Sequence, residues 1–528
     1  FEKNAAATKG GAAVIQKDTV ITNSTFKLNR QTSTDPDTAG GAVFIEGAKV
    51  EISSGSSFEQ NTGFLGGAIN VRSGSTLSIT DSVFSDNTAN GFGGAISDYE
   101  DKVGAVQNEL ISINRTTFKN NRDNKGGGAL HAVNTKAIEI TDSEFSGNFS
   151  AGKGGAIQLE NGAQLAVTNT VFNGNSTDYW GGAIRILGAD ATISATKDIS
   201  MTGNKANVRG LMSAYYSDMG GFAYLQGNSK LTLAGENGAT LTIGDANAED
   251  KTIDSIASIG GYKNSSNELI LKGNVVINSS LEAFSDKITV ADNANVTMAT
   301  GFASDRISLQ RDINGSPEIA YDDYGTSELS LGKNASLNMG SLVINRSGYT
   351  GKPDGSVRKY DDPGVKITAG QNSILNLKSL EIVTKNYLSK GEETNVTTTG
   401  YGLFNLTDAA VNVAGDVTLA DQKTRLDLTG SGNFDINGKV NVAGQMTVSG
   451  TTDGTLKLST NGLSINGGSL TIGANATLAA PLAVVFTGNP TLESKSLKLL
   501  TGLNFTGNSA ICITDRGTYK TTFLETLK

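Results

Sequence analysis

The chain has 528 residues, with 65 Gly, only 6 Pro, one Trp and 37% hydrophobic residues, a make-up of many short strands and tight turns rather than of helices. A net charge of −9 with 18% charged residues leaves no basic stripe for phosphates, so nucleic acid is not an expected partner. One cysteine, Cys512, and one histidine, His131, exclude an internal disulfide and a zinc constellation. Both read as core or surface filler, and no metal or cofactor is expected.

In chain order, the first 185 residues repeat one unit: Phe, two arbitrary residues, Asn, a short polar stretch, then Gly-Gly-Ala and an aliphatic residue. The start at FEKN, in mid-repeat, is expected to be that of a processed piece that has lost upstream repeats and an export signal. Clear copies are FEQNTGFLGGAI from Phe58, FSDNTANGFGGAI from Phe84, FSGNFSAGKGGAI from Phe145 and FNGNSTDYWGGAI from Phe172, with FKNNRDNKGGGAL from Phe118 slightly stretched. The Ala of the motif recurs at Ala12, Ala42, Ala68, Ala95, Ala129, Ala156 and Ala183, most often 27 residues apart. Such a fixed period is the mark of a solenoid.

Within a unit, apolar residues alternate in two short runs, as in Ile157 and Leu159, then Leu165 and Val167, the pattern of strands with one buried face. The fold class expected is all-β, a right-handed parallel β-helix of about 27 residues per coil, with coils about 4.8 Å apart. Ile69, Ile96, Leu130, Ile157 and Ile184 would form one ladder, and Phe58, Phe84, Phe118, Phe145 and Phe172 a column of stacked rings. Asn61, Asn87, Asn121, Asn148 and Asn175 are expected at a corner, because Asn tolerates left-handed angles and its amide can bond the next coil. The pairs Gly66 and Gly67, Gly93 and Gly94, Gly154 and Gly155, and Gly181 and Gly182 would allow close backbone approach. Without a following helix and a Lys-Ser/Thr they are no phosphate loop. Asp81, Arg115 and Asp142, each three residues before a Phe, would form an exterior charge column.

Beyond Met201 the motif degrades, and from about residue 228 it is gone. Period-two pairs continue: Leu231 and Leu233, Leu269 and Leu271, Leu375 and Leu377, Val411 and Val413, Leu426 and Leu428, Val440 and Val442, Leu470 and Ile472. Two regions are therefore expected, 1–227 in the strict repeat and 228–528 as a continuing β-helix with degenerate repeats and loop insertions. At about 20 to 27 residues per coil the whole would make a rod of on the order of 20 to 25 coils, whose irregular loops carry recognition.

Catalytic sets known on this fold are missing. The only histidine lies in ALHAV on a repeat strand, and the adjacent carboxylates Asp322 with Asp323 and Asp361 with Asp362 read as solvated, leaving a weak calcium site as the residual reading. Exposed aromatics are the better lead, since Tyr and Trp anchor interfaces at low entropic cost. Leu65, Phe92, Lys153 and Trp180, each just before Gly-Gly, suggest an exterior file. Tyr99, Tyr179, Trp180, Tyr215, Tyr216, Tyr349 and Tyr360 are the candidate partner-binding residues. Interruptions of the repeat at residues 99 to 109, 205 to 219 and 345 to 364 are the expected places of function.

On Phe-x-x-Asn followed by Gly-Gly-Ala-Ile, residues 1 to 227 resemble the repeats of the chlamydial polymorphic outer-membrane proteins. The rest is similar to autotransporter passengers generically, including KSLKLLTG from Lys495. The resemblance implies a type V autotransporter passenger, exported through a C-terminal outer-membrane barrel that this sequence does not include. It further implies a bacterial cell-surface, outer-membrane or secreted adhesin, not an enzyme. Expected partners are a host or neighbouring-cell surface protein or glycan, with self-association possible and membrane contact only through the missing barrel. A polysaccharide-active enzyme and a self-assembling surface protein are the alternatives. Turnover of a polysaccharide lost on mutation of Asp322 or Asp361 would select the first, and ordered assemblies in negative stain the second.

Overall fold

The computed structural model describes residues 1–35, 39–100, 106–207, 220–259, 267–282, 287–304, 310–311, 317–318, 327–344, 350–351, 357–358, 365–388, 395–398, 400–480, 484–487, 491–494, 497–499, 503–505 and 510–513. Among them there is strand, turn and bend but no helix, and the fold is a right-handed parallel β-helix. The chain divides into two compact units, Phe1–Gly261 with Ser265–Glu282, and Tyr262–Asn264 with Ala283–Lys528.

One coil of the first unit shows how the repeat folds. Ile69–Arg72 begins the coil after Gly-Gly-Ala, Thr76–Thr80 forms a second face, Val83–Ser85 carries the Phe, and Thr88–Ala89 follows the Asn. Each strand pairs in parallel with its copy in the neighbouring coils, Phe58 on Phe84 on Phe118 and Ile69 on Ile96 on Leu130. The Phe column is longer than expected. Phe1, Phe26, Phe58, Phe84, Phe118, Phe145 and Phe172 stack with centroids 4.7 to 5.0 Å apart. That spacing is imposed by the distance between strands. Phe222 closes the column edge-on, 6.3 Å from Phe172.

The motif asparagines make a second column, fully buried. In each, Nδ2 donates to Oδ1 of the next Asn at 2.9 to 3.0 Å from Asn29 through Asn204, and the backbone N–H donates to the same oxygen. The second Nδ2 hydrogen goes to the carbonyl of the preceding coil's Phe, as Asn121 does to Phe84 at 2.9 Å. Every polar atom of the amide is thus satisfied, which makes a buried amide affordable. The left-handed angle expected of the Asn belongs instead to the residue before it, with φ of 55° at Gln60, 56° at Asp86 and 62° at Gly147 and Gly174. That residue turns the corner so that the Asn side chain can point inward.

Asp254 ends the column. Its carboxylate accepts from the Asn204 backbone N–H and Nδ2 and from the Gly203 N–H, and it has no Nδ2 to pass a bond onward. The paired glycines behave as expected. Gly66 has φ +63°, and a Cβ on Gly67 would stand 2.2 Å from the Gly94 carbonyl oxygen of the next coil. Of the exterior charge column, Arg115 bonds Asp81 at 2.7 Å, whereas Asp142 pairs with Lys197 at 3.1 Å rather than with Arg115. All of these side chains are well exposed, so they fix register more than stability.

The second unit keeps the coil and changes its contents. Its inward files include Leu329, Ile367 and Phe404, then Leu337, Leu375 and Val411, then Leu342, Leu380 and Val417, all buried. Three strands per coil result, and hydrogen bonds between adjacent coils near its end span 22 to 24 residues. The period-two pairs expected from the sequence are buried in both units. Short antiparallel hairpins, such as Lys385–Leu388 with Asn395–Thr398, interrupt the stack. Asp322, Asp323, Asp361 and Asp362 lie outside the described residues.

Candidate functional site

Alternation along the Gly-Gly-Ala strands points one residue in and the next out. The outward file, read by register, is Phe44, Asn70, Ser97, His131, Gln158, Arg185 and Tyr224. A solvent-facing file should be exposed, and Val14, paired with Phe44 one coil earlier, is 48% exposed, yet none of the seven that follow is more than 4% exposed. The cause is a loop of two or three residues between the Asn corner and the glycines. It folds back over this face in successive coils, as Phe64 and Leu65, residues 90–92, 124–126, 151–153 and 178–180. The loops are tied into a layer of their own by Gly66 N–H to Phe92 O, Gly93 N–H to Gly126 O, Gly127 N–H to Lys153 O and Gly154 N–H to Trp180 O, at 2.9 to 3.1 Å.

The file before Gly-Gly is therefore not an exterior edge. Leu65 is 1% exposed and packs with Phe44 and Ala39, with Phe64, Phe92 and Tyr99 against them. Its members lean inward because the outward strand face offers apolar surface to cover.

Three clusters follow one another under this cover. At the first, Lys9 Nζ lies 4.4 Å and the Arg72 guanidinium 5.4 Å from the Phe44 ring, and Lys9 pairs with Glu46 at 3.1 Å. In the second, Phe92 stacks on His131 at 4.5 Å and on Tyr99 at 5.3 Å, while Lys125 Nζ is 5.5 Å from Phe92 and 5.7 Å from Phe64. In the third, Trp180 stacks on Tyr224 at 5.3 Å, Tyr179 meets Trp180 edge-on, and Lys153 Nζ sits 4.9 Å over Trp180. Arg185 beneath them binds Glu160 at 2.9 Å and Gln226 at 3.0 Å, and Gln158 Nε2 donates to Glu160.

Burial sets the protonation here. His131 is pushed down to about 3 by desolvation, with Arg185 adding to it, so the imidazole is neutral and neither ring nitrogen has a hydrogen-bond partner among the described residues. Burial and then Arg185 also draw Lys153 below its ordinary value. Two carboxyls go the other way. Desolvation raises Asp98 to about 6 although it accepts bonds from Val133 N–H, Asn134 N–H and the Thr135 hydroxyl, and raises Asp123 to about 7. Asp98 stands where its strand stops after Ser97, and its carboxylate supplies acceptors that the departing backbone no longer offers to the next coil.

Of the residues singled out in the sequence, Tyr99, Tyr179 and Trp180 all belong to this face, the first in the His131 cluster and the other two in the Tyr224 cluster. Tyr215, Tyr216, Tyr349 and Tyr360 lie outside the described residues, as do most of the interruptions that hold them. His131, Gln158, Arg185 and Tyr224, which no motif flags, share one register position. A signal exists, because one register position changes from Phe to Asn, Ser, His, Gln, Arg and Tyr while its neighbours hold. Repeats within one chain form their own alignment. No group of three potential metal ligands occurs among the described residues.

The profile of the Chlamydia polymorphic membrane protein repeat matches residues 81–98, 142–160 and 169–186. The chain carries the polymorphic membrane protein repeat. Each match spans both a Phe-x-x-Asn and a Gly-Gly-Ala segment, which the structure turns into column and corner. The probable autotransporter YfaL of Escherichia coli (strain K12) is 36% identical over 111 residues, 18% of this chain and 8% of that protein. The chain thus aligns with a small part of that relative's length. In its repeat and in this relative the chain is similar to autotransporter passengers of the polymorphic membrane protein type.

Proposed function

We propose that the chain is the passenger of a surface autotransporter and acts as an adhesin, holding a host or neighbouring-cell protein or glycan on the covered Gly-Gly-Ala face. It works by binding rather than by catalysis. The observation that carries this reading is the loop layer, which, with Tyr99 against it and buried Tyr224 beneath it, gathers Phe92, Tyr179 and Trp180 with Lys125 and Lys153 along one side of a rigid scaffold. Rigid elements that present aromatic anchors on loops are how binding surfaces gain affinity at low entropic cost.

Attachment of the purified chain to cultured cells tests it. A Tyr179→Ser, Trp180→Ser variant with an unchanged circular dichroism spectrum should attach at least tenfold less, while Glu144→Ser, exposed on the Phe-bearing face, should attach as the parent does. Equal attachment by all three chains would remove this face as the site.

A further inference from the structure

We propose that the covered face from Lys125 to Trp180 is a subsite for an acidic polysaccharide, held by Lys125 and Lys153 and stacked against Tyr179 and Trp180. This rests on the adhesin reading and names the ligand class of that same face.

Charge is the first ground. Lys125 and Lys153 come from the cover loops of adjacent coils, and neither has an ion-pair partner among the described residues. Each is steered instead toward an aromatic ring, Lys125 at 5.5 Å from Phe92 and Lys153 at 4.9 Å from Trp180. Of the nearby acids, Glu160 is tied to Arg185 at 2.9 Å while its charge also favours protonated Lys153, and Asp178 opens the Tyr179 loop. Asp123 is buried and its carboxyl raised. The depression of Lys153 by burial and by Arg185 is what an added anion would reverse. Lys125 is exposed and Lys153 half-buried, so both can reach a ligand lying on the cover.

Hydrogen-bonding capacity is the second ground. Gln158 Oε1, Arg185 Nε and Trp180 Nε1 are buried without a hydrogen-bond partner. One acceptor and two donors suit hydroxyl groups, which do both, better than a phosphate, which only accepts. The cover carries its smallest residue over Gln158. At the position held by Leu65, Phe92, Lys153 and Trp180 in other coils stands Gly126, whose added Cβ would fall 1.9 Å from Gln158 Oε1.

Shape is the third. Trp180 is stacked at 19° on Tyr224 and so held flat, with Tyr179 40% exposed at its edge. A fixed aromatic plane beside cations and hydroxyl-seeking groups matches the apolar face, carboxylate or sulfate, and hydroxyls of an acidic sugar ring. Successive cover loops repeat at the coil spacing of about 4.8 Å, close to the length of one sugar residue, so a polymer can run along them.

The test uses the purified chain with polygalacturonate and dextran sulfate as probes, dextran as the neutral control and a single-stranded oligonucleotide as competitor. Binding is read by affinity electrophoresis and by the fluorescence of Trp180, the single tryptophan. Expected are binding of both acidic polymers that weakens with salt, at least tenfold weaker binding of dextran, and at least tenfold loss in a Lys125→Ser, Lys153→Ser variant whose unfolding midpoint is unchanged. The proposal is overturned if dextran binds equally, if the double variant binds like the parent, or if the oligonucleotide competes on equal terms. Cell attachment measured on the same preparations separates the two readings. Attachment without polymer binding removes the subsite alone, and polymer binding without attachment removes the adhesin role alone.

Discussion

In the unit built on Phe1–Gly261 the register of coil on coil is set from inside, and in the unit that follows from Ala283 it is set from outside. The first buries a column of amides, every atom paired, beside a column of phenyl rings. The second fills its interior mainly with aliphatic side chains, with Phe404 and Phe434 edge-on among them, and keeps its amide ladders on the outward face. There Asn338, Asn376 and Asn412 join by side-chain bonds of 2.7 and 2.8 Å, and Asn293, Asn334 and Asn372 by bonds of 3.0 and 3.3 Å. An amide whose bonds are all made in a dry interior cannot be exchanged for another residue without stranding its neighbours, whereas a surface amide can be replaced by water. This difference explains why the first region repeats strictly in sequence and the second only in pattern.

Breaking the interior columns should show the largest effects. Phe118→Ala opens a void between Phe84 and Phe145 and is expected to cost about 3 to 5 kcal/mol. The loss would be read as a lower denaturant midpoint of Trp180 fluorescence, which reports on the first unit. Asn121→Ala strands the Asn87 amide and the Phe84 carbonyl and is expected to cost on the order of 2 to 3 kcal/mol by the same measure. The matching change in the second unit, Asn376→Ala, is expected to cost less than about 1 kcal/mol. It should leave the Trp180 transition where it was and show only in hydrogen exchange around residues 374–382. A comparable loss from Asn121→Ala and Asn376→Ala would erase the contrast between the units.

Acid sharpens the comparison further, because among the described residues the strongly shifted groups lie in the first unit. Asp123 binds its proton near pH 7 when folded and near 3.8 when unfolded, and Asp98 does so near 6. Their contribution to stability therefore grows as pH falls from about 7 toward 4 and is lost as it rises again. His131 opposes them. It protonates at 6.5 unfolded but about 3 folded, so its contribution is present above 6.5 and declines below. Asp123→Asn should flatten the gain of the Trp180 midpoint between pH 7 and 4, and His131→Phe should steepen it. Parallel pH profiles in both variants and the parent would show that these burials carry no linked protons.

Much of the fold was legible because strand alternation and motif spacing are local signals. Leu375 with Leu377 and Val440 with Val442 sit inward as their period demands, and the Phe file stacks as drawn. The left-handed corner, which the sequence puts at Asn61 and its copies, lies one residue earlier, because both the second arbitrary residue and the Asn of the motif are often polar, and only the ladder geometry chooses between them. In the second region the turns ADNANVTM, GKNASLNM and GQNSILNL place Asn293, Asn334 and Asn372 at positive φ. They passed unseen for want of a Phe or a Gly pair to flag them. The site was harder. Tyr99, Tyr179 and Trp180 were found as aromatics near irregular segments, but Arg185 and His131 stand at positions that alternation declares exposed. Only the loops lying over them, which no periodicity encodes, reverse that.

The interior amide column has a last consequence. Each joint in it is the same joint, an Asn meeting an Asn with the same three bonds, whatever loop the coil carries. A coil can thus be removed or duplicated between Asn61 and Asn175 with the cut ends meeting as the old ones did. The column serves as a ruler graduated in steps of about 4.8 Å, on which evolution can slide a binding loop closer to or farther from its neighbours without redesigning what holds it.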